Sequence, residues 1–451
     1  MPSSGVKNIQ RALLFLLVFL APLKIGWIFR HHNGIFIADA PLFFLLLLAF
    51  SPSIKFKFHW KLPMLGFIVW CTLTGVFAER FDIVFSEVTR FARAYLAFLC
   101  VINFTRAKKD IDIVFYAILS AFTLESLIGF LEWRRGFLGL TFLGEDSFYF
   151  RVGGFFVHPN IFADYLIFFL PVLLRLFIFH KHRKITRNIL YGILFLIAAG
   201  ALFATLSRGA WLSFAGAIVL MMLFTLFKIK FYPKIVSGFA VMALLATVAA
   251  IHYTPTILNQ FQADHRESAA SVRMPLNKIA LQMIKDHGVF GVGLGNYTEH
   301  THKYAEAAVS DDHHYWELLQ VVHNTFLLNL AEAGVPGFLL YLWMLVLIFK
   351  HGKKATDNSD PFISNVALGF LTGFLAMLVA FIAGPDGRNH QIQMVFWIYA
   401  GVLFNFSRMK DPRKISKKKV RRPVIQDPRQ VRTVNVNNQS QTGESLWQPN
   451  R

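Results

Sequence analysis

Arg208, Arg273 and His323 are the residues of this sequence whose types and settings suit chemistry on an anionic substrate beside an apolar phase. Arg208 stands in Ser207-Arg208-Gly209-Ala210-Trp211, an abrupt turn between two apolar runs, where a guanidinium either snorkels to the interface or grips an anion. Arg273 opens a helical pattern with Pro275 near its start and Leu276, Ile279, Ala280 and Met283 on one side. A cation there opposes the helix dipole, so helix stability does not account for it, whereas an anionic ligand does. His323 and Asn324 begin a run in which Gly334 and Gly337 flank Pro336, so the helix is expected to dip toward the membrane and break before its true crossing. An imidazole in that place serves either as a cap or as a base near neutral pH.

Other charges lie inside or at the edges of apolar runs, where they are costly and face a protein interior or a wet cavity. Glu87, Arg90 and Arg93 are spaced by three on one helix, so Glu87 and Arg90 can pair while Arg93 is left over. In His158-Pro159-Asn160 the asparagine reads as a helix N-cap, and Asp164, one turn on, is expected to pair with a cation or hydroxyl. Several familiar motifs fail. Gly291-Val292-Gly293-Leu294-Gly295 has the composition of a phosphate loop, but it follows a helix and no Walker lysine comes after it. Asp110-Ile111-Asp112 has the spacing of a metal and sugar-nucleotide site, on the opposite side from the other candidates. Asp311, Asp312, His313 and His314 read as solvated rather than as metal ligands, as do His265 and Arg266, so no metal and no cofactor is expected. Cys71 and Cys100 fall inside apolar runs and read as packing residues.

The elements that must position these residues are membrane spans. The chain is 55% hydrophobic, and its apolar runs recur at lengths that let a helix cross a hydrocarbon core of roughly 30 Å. The fold class is therefore an all-α polytopic membrane protein of about twelve transmembrane helices, placed near 11–29, 34–50, 62–78, 84–104, 111–131, 158–180, 188–206, 209–227, 235–252, 321–349, 362–383 and 390–406. A net charge of +20 on a soluble surface would suggest nucleic acid as partner. Here the charge gathers in short loops on one side, including Lys55, Lys57 and Lys61, Lys181 to Arg187, and Lys350 to Lys354, and that pattern marks the cytoplasmic face instead. Both termini then lie inside. The long loops, 131–157 and a partly helical 253–320, lie outside, where function concentrates. A membrane domain of 1–406 is followed by a basic tail, 407–451, expected to be disordered.

Over roughly Arg151 to Asn405 the sequence resembles the O-antigen ligase family of bacterial inner-membrane enzymes, through Ser207 to Trp211, Arg273 ahead of the Gly-rich turn, and His323-Asn324 followed by Gly334 and Gly337. The resemblance implies a GT-C-like, multi-span, inverting and metal-independent glycosyltransferase. It would move a glycan from undecaprenyl diphosphate to the lipid A core at the periplasmic face. In that setting Arg208 and Arg273 bind the donor diphosphate, His323 serves the acceptor hydroxyl, and Asn324 is a further substrate contact. Arg90 joins the donor cavity on charge placement alone. An O-antigen or exopolysaccharide polymerase shares much of the pattern. A lipid-linked glycan flippase is the reading of another class, and its charges would line the whole bilayer rather than cluster toward one side. No oligomeric state follows from the sequence.

The topology is directly testable: a cysteine replacing Ser310 should react with an impermeant reagent while the inner membrane is intact. Labelling only after that membrane is opened would invert the assignment of sides.

Overall fold

The computed structural model describes residues 4–28, 34–52, 54–105, 107–135, 151–156, 158–179, 185–228, 269–306 and 315–409. The expected span 235–252, most of the 131–157 loop, the loop residues Lys181 to Lys184, His265, Arg266 and Asp311 to His314, and the tail beyond 409 lie outside the described residues. The described helices all belong to the unit spanning residues 1–409.

Apolar runs become helices because a helix satisfies its own backbone in lipid. In chain order they are α1 (Ser4–Leu20), strands β1 (Gly26–Ile28) and β2 (Gly34–Phe36), α2 (Asp39–Ala49), α3 (Lys61–Gly75), α4 (Phe81–Phe104), α5 (Lys108–Arg135), α6 (Pro159–Phe179), α7 (Ile185–Ala204), α8 (Arg208–Lys228), α9 (Ala269–His287), α10 (Tyr297–Ala305), α11 (Thr325–Thr356), α12 (Pro361–Ala383) and α13 (His390–Arg408). Among the described residues, six helices are long and apolar enough to cross a membrane: α5, α6, α7, α8, α11 and α12. The expected number of about twelve is not reached by that measure. Helices α2 and α3, with 11 and 15 residues, fall short of the roughly 20 a straight crossing needs, and α4 carries four charges in its 24 residues. The all-α class holds, with one short two-stranded hairpin among the described residues. Helix α1 ends at Leu20, just before Pro22, and β1 and β2 form an antiparallel hairpin with Gly26 opposite Phe36, where the first and second spans were expected.

Helix α6 lies at the centre of the bundle, buried along most of its length. Gly369 and Gly373, one turn apart on α12, let that helix approach the α6 backbone at Val172 and Phe168, a close small-residue packing common between membrane helices. A second, smaller core is built outside the bundle by α9, α10, the turn Tyr315–Leu319 and the first half of α11. Leu276, Ile279, Ala280 and Met283, expected to share one side of the loop helix, are all fully buried in it.

The two cores meet where α11 breaks. Gly334 takes φ 64° and ψ −179°, a region open essentially to glycine alone. Pro336 has no N–H, so the Glu332 carbonyl would be orphaned; the Gly293 N–H donates to it at 3.0 Å. The Val335 N–H turns to the Gly288 carbonyl at 2.8 Å, and Val292 N–H takes the Ala331 carbonyl thus released at 3.0 Å. The Trp70 indole N–H donates to the Ala333 carbonyl at 2.8 Å. The Gly288 to Gly295 segment is therefore a backbone dock for the broken helix. A side chain on Gly291 or Gly334 would collide with the opposing backbone.

Gly334→Ala should destabilise the detergent-extracted protein by at least about 1–3 kcal/mol, the cost of such a backbone conformation in a non-glycine residue. Gly216→Ala on α8, where a Cβ meets nothing within 4 Å, is the control and should leave the unfolding temperature unchanged or slightly raised. Equal unfolding temperatures for the two variants would refute the dock.

Candidate functional site

Three turns at one end of the bundle carry the polar groups. Between α7 and α8, Leu206 adopts a left-handed φ of 52° and the Ser207 N–H donates to Thr205 Oγ1 at 3.2 Å. Trp211 pins the turn: its indole N–H donates to the Leu202 carbonyl at 3.0 Å and its ring stacks on Phe203. Arg208 thereby becomes the first residue of α8, again a cation at the positive end of a helix dipole. Arg151 ties this turn to α6, donating to the Thr205 carbonyl at 2.8 Å and to Asn160 Oδ1 at 2.7 Å. Asn160 is therefore not the cap it was expected to be. His158 takes that job, its Nδ1 accepting from the Asn160 N–H at 3.2 Å.

Arg273 is half-buried near the start of α9, which begins at Ala269 rather than at Pro275, and its Nε is enclosed without a hydrogen-bond partner. Burial holds its guanidinium below the usual arginine range; the Arg208 charge pushes the same way and Asp386 opposes it. Burial also lowers His323, with Arg273 adding to the effect, while the Val321 carbonyl works against it. His323 is thus a neutral imidazole at pH 7, and its Nδ1 is buried without a partner. His158, lowered to about 4 by burial and then by Arg151 and His323, is neutral as well. Asp386 lies in the short turn Asp386–Arg388 between α12 and α13, and burial pushes its carboxyl up to about 6 although Arg273 draws it down. Arg273 lies in the fields of both Arg208 and Asp386 and itself acts on His323, while Arg151 lies in the field of Arg208 and His158 in those of Arg151 and His323. Asp164, expected to pair with a cation or hydroxyl, instead lies in the field of the Asp386 carboxylate, and its Oδ2 is buried without a partner.

Asn324 caps α11. Its Oδ1 accepts from Phe326 N–H at 2.9 Å and Leu327 N–H at 3.1 Å, so that oxygen is committed to the helix end. Arg90 belongs to a separate cluster. It pairs with Glu87 as expected, but Arg93 is not left over: it pairs with Asp39 at 3.0 Å and donates to the Gly34 carbonyl at 2.8 Å. The centre of this cluster is Arg388, which reaches Glu87 at 2.7 Å, Glu332 and, more loosely, Asn329. A cavity of about 30 Å³ adjoins Arg388, Glu87, Asn329 and Gln393. Glu332 also accepts from Tyr297 N–H at 3.4 Å, so it links Arg388 to the second core just ahead of the break in α11. Sequence reasoning passed over Asp386 and Arg388. The only available signal was two opposite charges in a six-residue polar turn, Gly384 to Asn389, between two apolar runs.

Three of these residues, Arg208, Arg273 and His323, fall within a single stretch that can be compared with known families. Residues 193–342 match the O-antigen ligase family model. The match bears out the resemblance read from the sequence, over a shorter stretch than Arg151 to Asn405, and it includes Asn324 and the Gly334 break. Arg90, Arg151, His158, Asp386 and Arg388 lie outside it. No curated protein matches the chain. Six long apolar helices make this a multi-pass membrane protein, and over residues 193–342 it is similar to the O-antigen ligase family.

Arg388→Ala would leave Glu332 buried without a charged partner, a defect that typically costs about 3–5 kcal/mol. Arg388→Lys should recover part of it, because an ammonium keeps the charge without the fork that reaches Glu87 and Glu332 together. Thermal unfolding in detergent checks the order wild type, Lys, Ala; an Ala variant as stable as wild type would remove Arg388 from the framework.

Proposed function

We propose that the protein is an O-antigen ligase, transferring a polysaccharide from undecaprenyl diphosphate to the lipid A core oligosaccharide at the periplasmic face of the inner membrane. The observation that carries this reading is the cation pair beside a neutral imidazole: Arg273, with a buried and partnerless Nε, in the field of Arg208 and next to His323. Two guanidiniums held together at half-burial repel, and a diphosphate would relieve that repulsion. A diphosphate is also a good leaving group, so fixed cations suffice to bind the charge it gains and the reaction needs no metal.

In the reaction so read, an acceptor hydroxyl attacks the anomeric carbon of the donor glycan from the face opposite the diphosphate. Its proton passes to His323 as the new glycosidic bond forms. The old carbon–oxygen bond breaks with inversion, and its electron pair leaves on the diphosphate oxygen held by Arg208 and Arg273. Arg90, in the cluster around Arg388, sits apart from these three and acts only on a more distant part of the donor.

The test combines purified protein, undecaprenyl-linked glycan and rough lipopolysaccharide. Arg273→Ala should lose about 10²–10³ in transfer rate, the scale for removing one donor to a developing oxyanion, with Arg273→Lys intermediate. His323→Ala should lose about 10²–10⁴ while still binding donor. Because burial lowers the His323 pKa, the acid limb of the wild-type rate should fall at lower pH than an ordinary imidazole's 6.5, and the Ala variant should lack that limb. Wild-type transfer by His323→Ala would show the role misassigned. Loss of the gene should leave core without glycan; core capped by a single repeat unit would reassign the protein as a polymerase.

A further inference from the structure

Helix α9 buries one side in the second core, and its opposite side is a stripe in which apolar residues alternate with lysine. Met274, Lys278, Leu281, Gln282 and Lys285 lie at spacings of three and four along it and are all exposed, as is Val289 in the turn just past its end. A helix facing water alone would be polar along such a stripe. Here Met274, Leu281 and Val289 are 64%, 55% and 62% exposed, and Phe290, next in the chain, is 56% exposed. Asp286 is drawn off toward Tyr304, whose hydroxyl donates to its Oδ2 at 3.1 Å.

The stripe runs into a larger apolar surface. Phe290 stacks on Trp70 of α3 at 5.9 Å, and the Val289 carbonyl abuts Gly334 of α11. Beyond these contacts the outward side of α3 exposes Val69 and Leu73, with Phe77 just past its end, and that of α11 exposes Val335, Leu339 and Val346. Both are faces of apolar helices in a multi-pass membrane protein, so they lie against acyl chains. Val289 and Phe290 mark the rim of that surface.

We infer that α9 lies in the membrane interface, with Met274, Leu281 and Val289 in the acyl boundary and Lys278 and Lys285 on the phosphates of anionic phospholipids. Apolar anchors with lysines on the same face are the composition of an interfacial helix, because the long lysine stems lie along the apolar surface while their ammoniums reach the headgroups. Arg273, in the same helix beside Met274, is then held at headgroup depth, the level at which a lipid-borne phosphate presents itself. The inference concerns where the helix lies and does not depend on the transfer reaction.

The test uses the full chain in nanodiscs of phosphatidylcholine with or without phosphatidylglycerol, carrying a bimane label on Leu281→Cys. Cys71 and Cys100 are buried and should stay unlabelled. Leu73→Cys on α3 is the lipid-facing reference and His302→Cys on α10 the aqueous one. At position 281, nitroxide on lipid should quench and aqueous iodide should not, as at 73; phosphatidylglycerol should strengthen the lipid quenching. Adding Lys278→Glu and Lys285→Glu should abolish the response to phosphatidylglycerol, and Lys278→Gln with Lys285→Gln serves if the glutamates prevent folding. Iodide quenching at 281 equal to that at 302 would place the helix in water and overturn the inference. Protection from both quenchers would also overturn it, since a protein surface would then cover the stripe.

Discussion

A carbonyl that loses its helical partner at the edge of lipid must find another donor, and that requirement fixes where α11 meets the Gly288 to Gly295 turn. Pro336 cannot serve Glu332, and the reversal at Gly334 turns Val335 away from Ala331. The N–H groups of Val292 and Gly293 and the Trp70 indole take up the three carbonyls around the break. The position of His323 follows from this, because it precedes the half of α11 that the dock holds. Arg273 follows too, because α9 runs directly into the docking turn.

The same break places Glu332 where its carboxylate serves two partners, Arg388 and the Tyr297 N–H. Arg388 in turn joins α11 to α4 through Glu87. Asp386 lies two residues away in the same short turn and enters the field of Arg273. The polar end of the molecule therefore has two parts with different characters. Around Arg388 the charges are matched and the geometry is tight, as buried ion pairs must be if they are not to cost stability. Around Arg273 cations gather beside the Asp386 carboxylate, and buried polar atoms remain without partners. A framework satisfied in one place and unsatisfied in the other is the usual division between what holds a protein together and what it uses.

Placement of α9 along the apolar rim gives the arrangement a further consequence. On the proposed function, a rigid helix that carries Arg273 at headgroup level would remove most of the search a lipid-linked substrate otherwise makes, since both partners would be confined to one plane. The second core, under the buried side of α9, supplies the rigidity.

Hydropathy alone determined the membrane character of the chain, because a run of apolar residues has no other stable way to satisfy its backbone in lipid. Local chemistry also determined the break in α11, since Pro336 lacks an N–H and glycine flanks it, and the buried side of α9, since a period of 3.6 residues places Leu276, Ile279, Ala280 and Met283 together. The cation and imidazole candidates were legible for a similar reason: each sits where local structure does not call for it. What the sequence could not determine is which groups meet. Arg388 and Glu87 are 301 residues apart, and Trp70 and Ala333 are 263 apart. Arg93, unpaired by helical spacing, finds Asp39 at the start of α2 and the Gly34 carbonyl in a hairpin that hydropathy had counted as membrane span. Asn160 cedes the cap to His158 while its side-chain oxygen takes the Arg151 guanidinium, and Asn324, expected as a substrate contact, caps its own helix. Spacing encodes one helix at a time, and pairing across the bundle is set only when the packed helices bring their ends together.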